Sequence, residues 1–253
     1  MNNKYFINKS KHNNKNNDKD IEKTKKHKKT RVHLVKRECI DYDMFKFLIR
    51  KIKGHEEDDE KMFNLILLNS LLYYTGLRIS EVLLINKKNL VELFEKEKYN
   101  AYCPKTKTRR LIYLDKETKE DLLSNFDFDC DDKNYIEKER IFFDKLSDEG
   151  LINLYKNKLN LRTAYLWMDK YFKLLTYKFS DNKTDLGGSP FSFHSYRTNF
   201  INKVCRSSDM DTAADLIGHK DASTTFIYWR KYHVDDNKNK QILSKAILKK
   251  GLS

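Results

Sequence analysis

The chain has 253 residues, with 51 Lys and Arg against 37 Asp and Glu, a formal net charge of +14. That length suits one large domain with extensions, and the charge is the electrostatic footprint of a protein that meets a polyanion, nucleic acid first. The four cysteines form no Cys-x-x-Cys pair and no metal spacing, and no apolar run approaches the ~18 residues of a membrane span, so disulfide-scaffold, zinc-module and membrane-spanning readings fall away.

Residues 1–31 hold 11 Lys and Arg against 3 Asp and Glu, a net +8, with few apolar residues and no periodicity. Such a segment cannot bury enough surface to offset its ordering entropy, so it reads as a disordered basic tail. The start lacks the apolar core of a secretory signal. Its Lys- and Asn-rich composition suggests an AT-rich genome, hence an intracellular, DNA-containing compartment: bacterial or phage-host cytoplasm, or an organelle.

Order is expected from Val32. Asp41 reads as the N-cap of a helix through Ile52, with Met44, Phe45, Leu48 and Ile52 on one face and Gly54 as its stop. Residues 60–74 are apolar almost all round, the pattern of a helix buried in the centre. Thr75-Gly76 breaks it, and helix resumes over residues 79–84. Residues 98–103 and 109–114 read as two antiparallel strands around Pro104-Lys105-Thr106-Lys107-Thr108. Asp115 caps a helix through Phe126, and residues 127–150 read as acidic and irregular. Residues 159–178 have helical spacing and 182–190 read as loop. Helices follow over 195–205, 209–217, 224–231 and 241–248. No internal repeat is present. The fold class is mainly α with a small antiparallel β-sheet (α+β).

Chemistry concentrates in a few residues. His194 and Arg197 are one helical turn apart, His219 follows Gly218, and Tyr228 lies nine residues after His219, behind Thr224-Thr225. Far upstream, Arg78 follows Thr75-Gly76-Leu77 and precedes Ser80-Glu81. Arginine suits a phosphodiester because its fork donates two hydrogen bonds to one phosphate and keeps its charge. A phenol, with an ordinary pKa of about 10, attacks only beside a cationic site and a proton acceptor. Two arginines meet the first need and His194 the second. The lysines of the strand turn, Lys105 and Lys107, are flexible enough to reach a leaving oxygen. Taken alone, each arginine reads better as a surface ion pair, and Tyr232 competes with Tyr228.

In this order the segments resemble the catalytic domain of the tyrosine recombinase (phage integrase) family, over roughly residues 40 to 233. The resemblance implies a recombinase-like catalytic domain that cleaves and rejoins DNA through a 3′-phosphotyrosine. It gives Arg78 and Arg197 the scissile phosphate, His194 and His219 assisting roles, Lys105 the general acid and Tyr228 the nucleophile. It implies double-stranded DNA as partner, self-association as a tetramer on DNA, and no cofactor, metal or membrane. A catalytically idle DNA-binding protein of the same fold and a type IB topoisomerase-like activity are the alternatives. Thr198 stands where many members carry His, a change expected to alter packing rather than chemistry. Many members also carry an N-terminal DNA-binding domain. The expected division is tail 1–31 and catalytic domain 32–253, without that domain.

The tail should add charge without fold. Deleting residues 1–31 should leave the thermal transition nearly unchanged and weaken binding to all duplex sequences alike. The log–log salt slope should shrink by about 0.9 per lost phosphate contact. Binding titrations of full-length and truncated protein at several salt concentrations measure it, and an unchanged slope would separate the tail from DNA.

Overall fold

The computed structural model describes residues 38–130, 134–146, 153–154, 157–158, 160–180, 189–219 and 223–226. By its contacts the chain divides into Met1–Val35 and Lys36–Ser253, and every described residue belongs to the second unit. The tail at 1–31 and the helix expected at 241–248 lie outside the described residues.

Helix α1 (Tyr42–His55) starts where Asp41 accepts the Met44 N–H at 2.9 Å. It buries Phe45, Leu48 and Ile52, the face expected of it. It does not stop at Gly54. The chain leaves the helix at Glu56, a buried carboxylate that pairs with Lys61 (2.6 Å) and Lys170 (2.6 Å) and accepts from the Tyr171 hydroxyl. A long-range ion cluster thus sets the boundary, and the exposed Gly54 stays inside the last turn.

Helix α2 (Asp59–Thr75) is the central rod, buried from Asn64 through Tyr73. It packs on α1 and on the later helices α5 (Lys116–Leu123) and α8 (Phe193–Ser207). A rod buried all round carries polar groups only if they are bonded. Asn69 donates to the Leu65 carbonyl (2.7 Å) and accepts from the Tyr196 hydroxyl of α8. That bond fixes α8 against α2 one residue before Arg197.

Gly76 ends α2 in the left-handed region (φ 61°), where a Cβ would lie 2.6 Å from the Phe200 ring of α8. The turn it allows leads straight into α3 (Ile79–Val82). Helix α4 (Lys87–Lys96) was not anticipated. Asn86 and Asn89 cap it reciprocally (2.9 and 3.2 Å), and its apolar face is only Leu90, Leu93 and Phe94, too short a stripe to stand out beside the following strand.

Strands β1 (Lys98–Cys103) and β2 (Thr108–Tyr113) pair antiparallel, with Cys103 opposite Thr108 and Lys98 opposite Tyr113. One face buries Ala101, Cys103, Arg110 and Ile112; the other exposes Tyr102, Leu111 and Tyr113. Asp115 caps α5, which ends at Leu123 rather than Phe126 because Phe126 turns inward against Phe63 and Phe142. The acidic segment is not wholly irregular. Asn134 caps α6 (Tyr135–Asp144), and Phe142 enters the core beside Phe94. A two-residue pair, β3 (Asn153–Leu154) and β4 (Asn157–Lys158), precedes α7 (Leu161–Phe179). Then come α8, α9 (Met210–Ile217) and a helical turn over residues 223–226. The rest of the helix expected to 231 lies outside the described residues.

Two glycines should respond oppositely. Gly76→Ala places a Cβ in a left-handed residue against an aromatic ring and should cost about 2 kcal/mol or more. Gly54→Ala fills open space in a helical turn and should stabilise by roughly 0.5–1 kcal/mol. Urea midpoints at unchanged slope read both.

Candidate active site

The site forms where the turn after α2, the end of α9 and the buried face of α8 meet. Arg197 is 1% exposed. Its Nη1 donates to the Gly76 carbonyl (2.9 Å) and its Nη2 to the Ile217 carbonyl (2.9 Å). Both acceptors close helices, where carbonyls lack intrahelical partners and carry the negative end of the helix dipole. The fold thus holds a buried cation at two helix C-termini.

Arg78 sits at the N-cap of α3 with its side chain 22% exposed. Glu81, three residues on, accepts the Arg78 backbone N–H (2.9 Å) and its guanidinium (2.6 Å). Glu81 Oε2, which takes the Arg78 N–H, also faces Arg110 of β2 at 3.4 Å. Arg110 also donates to the Leu216 carbonyl (2.6 Å) and the Gly76 carbonyl (3.3 Å). One peptide oxygen, that of Gly76, therefore serves both buried arginines. Burial alone would raise the Glu81 carboxyl. The Arg78 backbone N–H and the charges of Arg110, Arg78 and Arg197 outweigh it and hold Glu81 below the usual carboxylate range.

His219 follows Gly218, the left-handed cap of α9 (φ 68°). A Cβ on Gly218 would lie 3.1 Å from Arg110 Cδ, so the cap also makes room for that arginine. His219 Nε2 lies 3.3 Å from Arg197 Nη2, and Nδ1 lies 2.8 Å from the Thr225 hydroxyl. Burial, then the charges of Arg197, Arg78, Arg110 and His194, push the imidazole down to about 4, so it is neutral at pH 7. His194 is half-buried on the first turn of α8, and its carbonyl accepts from Thr198 Oγ1 (3.0 Å).

The structure thus brings together four of the six residues singled out in the sequence: Arg78, His194, Arg197 and His219. Lys105 is exposed on the turn of Pro104–Lys107, at the far end of the hairpin that delivers Arg110. Tyr228 lies outside the described residues, and Thr225, three residues before it, is fully buried. Three contributors were given no role from the sequence: Glu81 and Thr225, which stand inside the quoted motifs, and Arg110. Two had signals. Glu81 stands at the spacing of a reciprocal helix cap, and Arg110 takes an inward position beside Ile112 in an alternating strand.

Solved tyrosine recombinases share this fold. The XerH site-specific recombinase, in a post-cleavage complex with a palindromic difH substrate, aligns with a TM-score of 0.54 at 16% identity, over 81% of this chain and 52% of that one. The XerA recombinase gives 0.52 at 18% identity, over 87% of this chain and 66% of that one. The Tn1549 transposon integrase, in complex with transposon right-end DNA, gives 0.50 at 13% identity, over 82% and 65%. The chain spans about half to two-thirds of the length of these proteins, and at such identities the likeness is one of fold. No curated protein sequence matches significantly. The sequence model of the phage integrase family matches residues 44–235, and the chain belongs to that family.

The depressed His219 has a pH signature. Above pH 6.5 it is neutral folded and unfolded. From about 6.5 down to about 4 the unfolded chain takes up its proton and the folded chain does not, so stability falls with pH through that window. His219→Gln should flatten this part of the profile, as urea midpoints between pH 7 and 4 would show. An unchanged profile would mean that the imidazole is not held neutral by its surroundings.

Proposed function

We propose that this chain cleaves and rejoins strands of double-stranded DNA through a covalent 3′-phosphotyrosine, as a site-specific recombinase or integrase. The observation that carries the reading is the charge of the cluster: Arg78 and Arg110 pair with one carboxylate, Glu81, and a third guanidinium, Arg197, shares the Gly76 carbonyl with Arg110. Such a surplus of fixed positive charge suits a phosphodiester, whose oxygens need stabilising as charge rearranges. Family membership points the same way.

In this reading Arg78, the more exposed arginine, and Arg197 hold the scissile phosphate. His219 donates to a phosphoryl oxygen. His194 takes the proton of the Tyr228 hydroxyl, whose oxygen attacks phosphorus. Lys105 gives a proton to the departing 5′-oxygen. The ester stores the energy of the broken bond, so rejoining reverses the steps without a nucleotide. Residues 32–253 form the catalytic module, and residues 1–31 supply a net charge of +8. The enzyme acts inside a DNA-containing compartment, where four copies on two duplexes exchange strands.

Tyr228→Phe should abolish the denaturant-resistant DNA adduct and leave binding nearly intact, since most affinity comes from phosphate contacts. A surviving adduct would transfer the role to Tyr232. Arg78→Lys keeps the charge and loses the fork, and should slow adduct formation by about 10²-fold or more with a smaller loss of binding. Arg78 is the cleaner test, because Arg197→Lys would also disturb the fork that bonds two helix-end carbonyls. Equal losses of rate and binding would remove the transition-state role. EDTA should leave the rate unchanged.

A further inference from the structure

The hydrogen bonds of His219 have a direction that can be deduced. Arg197 Nη2 can only donate, so His219 Nε2, 3.3 Å away, must present its lone pair. A neutral imidazole carries one ring proton, which then resides on Nδ1. Nδ1–H therefore donates to Thr225 Oγ1 at 2.8 Å. In this state Nε2 has no proton to offer a phosphate.

The role proposed above for His219 requires the opposite arrangement, with a proton on Nε2. For the neutral ring, one proton must leave Nδ1 to water and one must be gained at Nε2, with no net change. Nδ1 then becomes an acceptor and needs a donor. Thr225 is the side chain in contact with it, and a hydroxyl both accepts and donates. Thr225 is fully buried, so its bond also anchors the helical turn over residues 223–226 beside His219.

We infer that Thr225 is a positioning residue: its hydroxyl accepts from His219 Nδ1 in the free protein and reverses to donate when Nε2 turns to the scissile phosphate. The inference deepens the strand-cleavage reading and rests on it. The low proton affinity of His219 agrees, since a ring that stays neutral must trade one proton between its nitrogens rather than carry two.

Two variants separate the hydroxyl from the shape of the side chain. Thr225→Val keeps the volume and removes the hydroxyl; Thr225→Ser keeps the hydroxyl. The first measurement is nitrogen NMR of the His219 ring in the full chain. Free wild-type protein at pH 7 should show a protonated, slowly exchanging Nδ1 and a bare Nε2. The serine variant should keep that slow proton and the valine variant should lose it. A free protein with its proton on Nε2, or a valine variant with an unchanged Nδ1 proton, would overturn the inference. The second measurement is adduct formation on a pool of nicked duplexes of randomised sequence. Valine should slow it about tenfold, the kinetic equivalent of one neutral hydrogen bond, at equal duplex affinity, with serine restoring it. A valine variant as fast as wild type, or a serine variant as slow as valine, would also overturn it. Absence of adduct with wild-type protein would instead sink the strand-cleavage reading and leave the ring-nitrogen result to decide the role of Thr225.

Discussion

The arrangement of this domain turns on one guanidinium. Arg197 is buried and joins the carbonyl that closes α2 to the carbonyl that closes α9. Burying a charge is expensive unless it is hydrogen-bonded, and breaking such bonds leaves it uncompensated. Two helix C-termini provide oxygens that their own helices leave unused. A planar fork holds its two donors at a fixed spacing and so spans both in one rigid geometry, which a compact ammonium on a flexible stem does not impose. The bond between Tyr196 and Asn69 holds α8 in register for this, so the core and the candidate site share one foundation.

The second buried arginine explains why the hairpin belongs to the site. Arg110 shares the Gly76 carbonyl with Arg197, reaches Leu216 at the end of α9 and faces Glu81. It ties β2 to the loop that carries His219. Without Glu81, three guanidiniums would repel one another in a poorly screened space. With Glu81 they still outnumber the carboxylate, and burial together with this residual field keeps His219 neutral. A neutral imidazole beside fixed cations can direct a single hydrogen bond and does not add to the repulsion. The electrostatics therefore divide the work: charge comes from arginine, direction from histidine.

Much of the fold was legible because it follows from local rules. Asp41, Asp115 and Asp209 each accept an N–H three residues on, as their side chains predispose them to do. The all-round apolar run of α2 and the alternation across the hairpin likewise gave their burial directly. What was not legible depends on partners distant in sequence. The end of α1 is set by Lys170 and Tyr171, more than a hundred residues away, which override the helix-stopping tendency of Gly54. Helix α4 offers only three apolar positions. At the site, the spacing of His194 and Arg197 suggested two side chains presented alike. The structure buries Arg197 and leaves His194 half-buried, because the carbonyls that claim the arginine come from α2 and α9. A hydrogen bond that joins elements 121 residues apart leaves no periodic trace.

Thr198 shows how a departure from the family pattern can be read once its surroundings are known. Its hydroxyl donates to the His194 carbonyl one turn earlier, and the residue is 4% exposed. That bond lies within α8, so the hydroxyl is used in its own helix rather than offered to a substrate. The Thr198 side chain is thus buried and engaged by its own helix, while burial and the fields of Arg197, Arg78, Arg110 and His194 act on His219 from other positions.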